Sequence, residues 1–230
     1  MSEDRWNITW LSCGLAFVGG YGDAASFILA KTFTGHITGN FVLTAISIAG
    51  HDWPTFFRRV LAIALFLTGI LLSVTLEQVL VRKSSRSLLS AVLGLEIVLI
   101  SSAYFALTSH LAVRLELFVI CMSVALGLQN GAWRQAGGIT VHSTYITGMV
   151  TNLLTTGAKR YIAKAARESG PDPKVSLLCG IWSAFVLGAA LGATLVFRFQ
   201  ALGILGAAVV LLALLIRQSI RRELGVKKVI

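Results

Sequence analysis

The chain alternates between long apolar segments and short polar connections. The apolar segments cover approximately 10–30, 36–50, 60–81, 87–109, 115–134, 143–158, 175–197 and 200–217. Six of them are long enough to cross a hydrocarbon core of about 30 Å as helices, which rise about 1.5 Å per residue. The segments 36–50 and 143–158 are too short, which is typical of broken or re-entrant helices. The pattern predicts an all-α polytopic membrane protein with about six transmembrane helices and two short half-helices.

The two short segments occupy equivalent places in two halves of the chain. Residues 37–40 and 146–149 both begin with Ile-Thr-Gly, and the offset of 109 between them also places Gly22 on Gly131. Each half contains a long span, a short segment and two more long spans. We therefore predict two repeats, 1–110 and 111–230. Because three spans per half is an odd number, the second repeat would be inverted relative to the first.

Composition and charge narrow the class of protein. Hydrophobic residues make up 56% and charged residues 13%, whereas soluble domains carry about 25% charge. This excludes a disordered chain, a basic nucleic-acid-binding domain and a disulfide-stapled secreted module, and it makes the lipid bilayer the expected partner. The three cysteines lie in apolar segments without a CxxC pair, so we expect no metal site, and no cofactor motif is present.

The distribution of basic residues predicts topology. If the short segments do not cross and the N-terminus is cytoplasmic, 15 of the 20 Lys and Arg residues face the cytoplasm. If both short segments cross, the number is 14. The positive-inside rule thus favours six spans over eight by a narrow margin, with both termini cytoplasmic. The length of segment 36–50, about 22 Å as a helix, points the same way.

Two acidic residues lie deep inside predicted spans. Asp23 is two-thirds of the way along segment 10–30, directly after a glycine-rich stretch, and Glu96 is near the middle of segment 87–109. A charged acid at that depth costs several kcal/mol unless it is paired, protonated or facing water. We predict Asp23 as the residue that couples a proton or binds a cation, with Glu96 and His36 as further candidates. The alternative is that these acids only join helices through hydrogen bonds.

Arg134 is a candidate partner for Asp23. Under the offset of 109 it falls two residues past the equivalent of Asp23. Inverted halves would bring the two residues near a pseudo-two-fold axis, where an ion pair would satisfy both charges. The alternative is that Arg134 extends to the cytoplasmic interface.

Small and polar side chains recur at the start of both short segments and in the first span of each half. The N-terminus of a half-helix carries partial positive charge and free N–H groups, which suit an anion or a polar solute. The alternative is helix capping and close packing of Gly and Thr. The predicted solute-binding residues are Tyr21, Gly22, Thr38, Gly39, Asn40, Gln129, Asn130, Thr144, Tyr145 and Thr147.

These same residues carry a family resemblance over nearly the whole chain. The sequence resembles the YoaK-like family of small bacterial membrane proteins of unknown function. The shared motifs are Gly20-Tyr21-x-Asp23-Ala24, Thr38-Gly39-Asn40, Gly127-x-Gln129-Asn130-x-x-x-Arg134 and Thr144-Tyr145-x-Thr147-Gly148. Gly22 inside the first motif and Trp133 before the arginine depart from the usual pattern. The resemblance implies a helical fold in the bacterial inner membrane but supplies no activity or substrate.

Three classes of function fit the pattern. The leading hypothesis is a secondary transporter of an unidentified small polar solute, with binding near the midplane between the halves. A channel or a non-transporting scaffold, including an oligomer of identical chains, is the second. The third is an intramembrane enzyme acting on lipid. Residues 20–23 spell GxGD, a motif of intramembrane aspartyl proteases, but no second Asp lies deep in a span to form the required pair. We therefore do not expect an enzyme.

Overall fold

A computed structural model describes residues 3–80, 85–136, 139–140, 146–162 and 173–227, and within these ranges the chain is almost entirely helical. Its α-helices are α1 (Glu3–Ala30), α2 (Ile37–Ala49), α3 (Trp53–Leu80), α4 (Ser85–Thr108), α5 (Arg114–Ala132), α6 (Ile146–Ile162), α7 (Pro173–Phe199) and α8 (Leu205–Lys227). A 3₁₀ turn, Gln200–Ile204, joins α7 to α8. Gln135–Ala136 pairs with Ile139–Thr140 in a minimal antiparallel ladder.

The described helices include five candidate membrane spans, which confirms a multi-pass helical membrane protein. The fifth, Lys174–Ile220, has 47 residues and contains both α7 and α8. A continuous helix of that length would measure about 70 Å, more than twice the hydrocarbon core. The 3₁₀ turn interrupts it, and Gln200 in that turn adopts a positive φ of 51°.

The two short predicted segments appear as the shortest α-helices that the structure describes. The segment predicted at 36–50 is α2, with 13 residues and a length of about 20 Å. The segment predicted at 143–158 corresponds to α6, with 17 residues. Residues 141–145, which include its predicted start, lie outside the described ranges.

Helices α1 and α7 pack with their backbones in close approach. A Cβ atom at Gly188 would meet the backbone of Phe17, and one at Gly192 would meet the backbone of Tyr21. Gly20 faces the Phe185 carbonyl in the same way. Residues further along α1 contact residues further along α7, so the two helices run parallel. Gly188 and Gly192 thus serve helix packing, because only residues without a side chain permit this separation.

Helices α3 and α5 pack by the same device. Gly127 lies against the Phe66 carbonyl and Gly69, and Gly131 lies against Ile70 and Ser73. These two helices therefore also run parallel. In the α1 and α5 spans 61% of the residues are buried, whereas in the other candidate spans the share is 33% or less. Helices α1 and α5 thus form the interior of the bundle, and the others surround them.

The two interior helices cross antiparallel. Gly22 of α1 faces Met122 and Leu126 of α5. Toward the start of α1, Leu15 accepts a hydrogen bond from Gln129 at 3.0 Å. As the contacts move back along α1, they move forward along α5.

Candidate functional site

Asp23 binds the backbone of the loop that leads into α2. Its Oδ1 atom accepts hydrogen bonds from the backbone N–H groups of Thr34 at 3.1 Å, Gly35 at 2.6 Å and His36 at 3.2 Å. Successive backbone N–H groups of this kind form a concave site for an anion, and the adjacent helix N-terminus favours the same charge. The anion that occupies this site in the protein is the Asp23 carboxylate itself.

The position of Asp23 shows that α2 starts inside the bundle. Helix α1 continues for seven residues beyond Asp23 to Ala30, a distance of about 10 Å. The chain then reverses at Lys31, whose φ is 56°, and returns to the level of Asp23 within a few residues. A hydrogen bond of 2.9 Å between the hydroxyls of Ser26 and Thr34 supports the returning strand of chain.

Asn40 closes the returning loop on itself. Its Oδ1 accepts the Phe33 N–H at 3.1 Å, and its Nδ2 donates to the Phe33 carbonyl at 2.6 Å. The Phe33 ring stacks on Phe27, with centroids 4.7 Å apart, and lies edge-on to His36. Asn40 is fully buried, and both ends of its amide are bound to the chain's own backbone. In this conformation it shapes the loop and does not face an open site.

Arg58 and Arg59, which were counted above only for topology, bind carbonyl groups at the end of α1 and in α2. Arg59 donates to the Lys31 carbonyl at 3.1 Å and 3.3 Å and also to the Leu43 carbonyl and the Ser47 hydroxyl. Arg58 donates to the Ala30 carbonyl at 3.3 Å and forms an ion pair with Glu116 at 3.1 Å. The sequence feature that could have identified them is that two consecutive arginines directly precede an apolar span.

The predicted residues of the first spans tie helices together. The Tyr21 hydroxyl donates to the Gly203 carbonyl in the 3₁₀ turn, and Tyr21 is almost fully buried. Gly22 and Gln129 both lie at the α1–α5 contact, and Asn130, which follows Gln129, is also buried. These groups thus link α1 to α5 and to the α7–α8 turn.

Other predicted residues are spread more widely. Thr38 is exposed and Gly39 is half-buried on α2. Glu96 is completely buried on α4. Thr144 and Tyr145 lie outside the described residues, and the side chain of Thr147 in α6 is likewise not described. The described residues contain no group of three or more His, Cys, Asp and Glu side chains that could hold a metal ion.

The expected ion pair between Asp23 and Arg134 is not formed. Arg134 pairs instead with Glu77 of α3, and both side chains are partly exposed. The reason is the antiparallel crossing of α1 and α5. The end of α5 lies beside the start of α1, where Trp133 donates to the Ser12 hydroxyl at 3.0 Å. Asp23 is three helical turns further along α1.

Comparisons with known proteins agree with this architecture. The family model described as "Protein of unknown function (DUF1275)" matches residues 11–217. The chain is 26% identical over 160 residues to the UPF0700 transmembrane protein YoaK of Bacillus subtilis (strain 168), covering 69% of this chain and 68% of that protein. No solved structure matches the present chain. The resemblance inferred from the motifs is thereby confirmed, and the chain belongs to the DUF1275 family of membrane proteins of unknown function.

Proposed function

We propose that the protein is a secondary transporter of a small polar solute, with Asp23 and the N-terminus of α2 as its working site. One observation carries the proposal. A buried carboxylate holds three backbone N–H groups through Oδ1, while its Oδ2 atom has no hydrogen-bond partner among the described residues. Ionisable groups inside membrane proteins typically mark solute or ion pathways.

This arrangement links a proton to a solute through the same N–H groups. Hydrogen bonds to a charged acceptor contribute about 1.5–3 kcal/mol, whereas neutral ones contribute about 0.5–1.5 kcal/mol. Protonation of Asp23 therefore weakens all three bonds to residues 34–36. The N–H groups, which the neutral acid holds less strongly, can then exchange to a carboxylate, phosphate or carbonyl oxygen of the solute. Binding of the solute and binding of the proton favour each other at this site.

The crossing of α1 and α5 supports a fold of two inverted repeats, 1–110 and 111–230. Pairs of contacting residues run from Gly22 with Met122 to Ser12 with Trp133. The midpoint of this series falls near Val18 and Gly127, which are 109 positions apart. That separation equals the offset between the Ile-Thr-Gly segments. A two-fold axis through the crossing would exchange the two helices in this manner, and transporters often bind solute near such an axis.

The outer helices support the same symmetry. The α1–α7 and α3–α5 pairs are both parallel and both depend on glycine. Phe66 and Gly69 of α3 match Phe185 and Gly188 of α7 in sequence and in contact, with an offset of 119. This exceeds 109 by ten residues, which the longer connection 163–172 accommodates. With α7 and α8 as separate spans, each repeat has three spans and one half-helix.

The six-span arrangement predicts the accessibility of the α4–α5 connection. In a variant without its three native cysteines, His110→Cys is expected to react with an impermeant maleimide added to intact cells. His110 is exposed and lies between α4 and α5, so six spans place it outside. Lys174→Cys is the control and should react only after permeabilisation, because basic connections stay cytoplasmic. Protection of His110→Cys in intact cells would favour eight spans.

The transporter proposal is tested with purified protein in liposomes that contain a pH-sensitive dye. Amino acids, carboxylates, phosphates and sugars are added one at a time outside. We expect at least one solute to drive saturable proton movement, and Asp23→Asn to abolish it, because an amide cannot exchange a proton. Asp52→Asn is the matched control, since Asp52 is an exposed residue that caps α3. Full proton-coupled flux in Asp23→Asn would remove Asp23 from the mechanism.

A non-transporting scaffold is the second candidate, and one observation favours it. The N–H groups that a solute would bind are already occupied by Asp23. If Asp23 serves only to hold α2, no solute in the panel should move protons or raise the thermal stability of the protein. A channel differs from both, because its flux should not saturate with solute concentration.

A further inference from the structure

Glu96 is the most deeply buried carboxyl group among the described residues. Its exposed fraction is 0%, compared with 4% for Asp23. Neither Oε1 nor Oε2 has a hydrogen-bond partner in the described part of the chain. Nothing in the crossing of α1 and α5 or in the α2 loop uses this side chain, so its presence in α4 needs a separate explanation.

The surroundings of Glu96 are apolar. Val92 and Leu99, four residues before and three after it, lie on the same face of α4. They belong to one apolar cluster with Val124 and Leu128 of α5. Leu93 and Ile100, on the adjoining positions of that face, belong to the main core. The carboxyl group therefore lies on a face of α4 that packs against α5.

No charged side chain that the structure describes compensates Glu96. The described charged and titratable groups on α3, α5 and α8, the helices against α4, are Arg58, Arg59, Glu77, Arg114, Glu116, Cys121 and Arg217. Arg58 and Glu116 pair with each other, and Glu77 pairs with Arg134. Arg59 binds carbonyls of the α2 region, and Arg217 lies over the Trp10 ring.

A hydroxyl group on α5, a helix that packs against α4, also has no partner in the described ranges. The Ser123 hydroxyl of α5 is fully buried and forms no hydrogen bond. Buried polar groups are normally satisfied, so each of these unsatisfied groups requires an explanation.

We infer that Glu96 is a proton-binding site, which holds its proton as a neutral carboxylic acid between α4 and α5. An isolated carboxylate in an apolar site costs far more free energy than the neutral acid. Asp23 differs, because three N–H groups stabilise its ionised form. Two carboxyl groups with opposed environments are suited to different protonation roles. Release of the Glu96 proton during transport rests on the proposed transporter function. Binding of the proton does not depend on that function.

Infrared spectroscopy tests the bound proton directly. The spectrum of the full-length protein at neutral pH is compared with that of Glu96→Gln. We expect the variant to lose a carbonyl stretch of a neutral carboxylic acid. Glu77→Gln is the matched control and should lose carboxylate bands, because Glu77 is partly exposed and ion-paired. Loss of carboxylate bands in Glu96→Gln would overturn the inference.

A membrane-soluble carbodiimide provides a second measurement. The carboxylic acid adds its O–H across one C=N bond, and the resulting O-acylisourea rearranges to a stable N-acylurea, so no other reactant is needed. Peptide mapping should find the label on Glu96 and not on Asp23. Protection of Glu96 by sodium ions at constant pH would overturn the inference in favour of a cation site.

The liposome assay separates this inference from the proposed function. If Glu96 releases its proton in transport, Glu96→Gln should reduce the number of protons moved per solute while the solute still stabilises the protein against heat. An unchanged number would overturn the role in transport. If the wild-type protein moves no protons with any solute, the proposed function fails, and the infrared spectrum still decides whether Glu96 binds a proton.

Discussion

Asp23→Ala is expected to cause a severe loss of folded protein, whereas Asp23→Asn is expected to fold. Alanine leaves three buried N–H groups without an acceptor, at about 1–3 kcal/mol for each. Their sum approaches the total free energy of unfolding of many proteins, about 5–15 kcal/mol. Asparagine keeps an acceptor oxygen in the same place, so it loses the charge but not the bonds to Thr34, Gly35 and His36.

Thermal unfolding of the detergent-solubilised variants, monitored by size-exclusion chromatography after heating, measures this difference. The midpoint for Asp23→Ala should fall well below that for Asp23→Asn, or the alanine variant should not be recovered as a monodisperse species. Asp52→Ala removes the cap of α3 and should cost only about 1 kcal/mol. Equal midpoints for the two Asp23 variants would mean that the three hydrogen bonds do not stabilise the α2 loop.

Gly127→Ala and Gly188→Ala are expected to destabilise the bundle strongly, although each adds only one methyl group. The new Cβ would meet a backbone carbonyl, that of Phe66 or that of Phe17, which cannot move aside as a side chain can. Such overpacking typically costs about 1–3 kcal/mol. The two helices must separate locally, and every neighbouring contact along the α1–α7 or α3–α5 pair weakens with them.

Gly94→Ala is the matched control because nothing lies within 4 Å of a Cβ at that position in α4. There the change should be neutral or stabilise by up to about 1 kcal/mol, since glycine disfavours helices. The midpoints of thermal unfolding should therefore move in opposite directions for Gly94→Ala and for the two tightly packed positions. A loss of stability at Gly94 comparable to that at Gly188 would contradict the helix packing described above.

The helices themselves could be predicted because their physical cause is local. Long apolar runs must form helices in a bilayer, since no water satisfies the backbone there. The short helix α2 was expected at 36–50 and occupies Ile37–Ala49. The break predicted between segments 175–197 and 200–217 corresponds to the turn Gln200–Ile204, a few residues later in the chain. The number of crossings and the inversion of the halves stay predictions, because they depend on the membrane as well as on the chain.

The candidate site could be predicted only in part. Asp23 was singled out because a deep acid needs a partner, but its partner is three N–H groups rather than Arg134. That result depends on the reversal of the chain at Lys31, which no residue pattern predicts. It also depends on which face of α5 packs against α1. Arg59 was missed for the same reason, because its acceptors are carbonyls, which every residue carries.

The close packing of α1 against α7 has a consequence for the order of synthesis. About 170 residues separate Phe17 from Gly188, which contact each other in the folded protein. At about 5–20 residues per second, translation delivers α7 roughly 10 to 30 s after α1. For that time the face of α1 that will meet α7 has no permanent partner. Helix α1 enters the bilayer before the other described helices and is thus among the last to acquire its full packing, so the cell's insertion machinery or lipid must shelter it until the second half arrives.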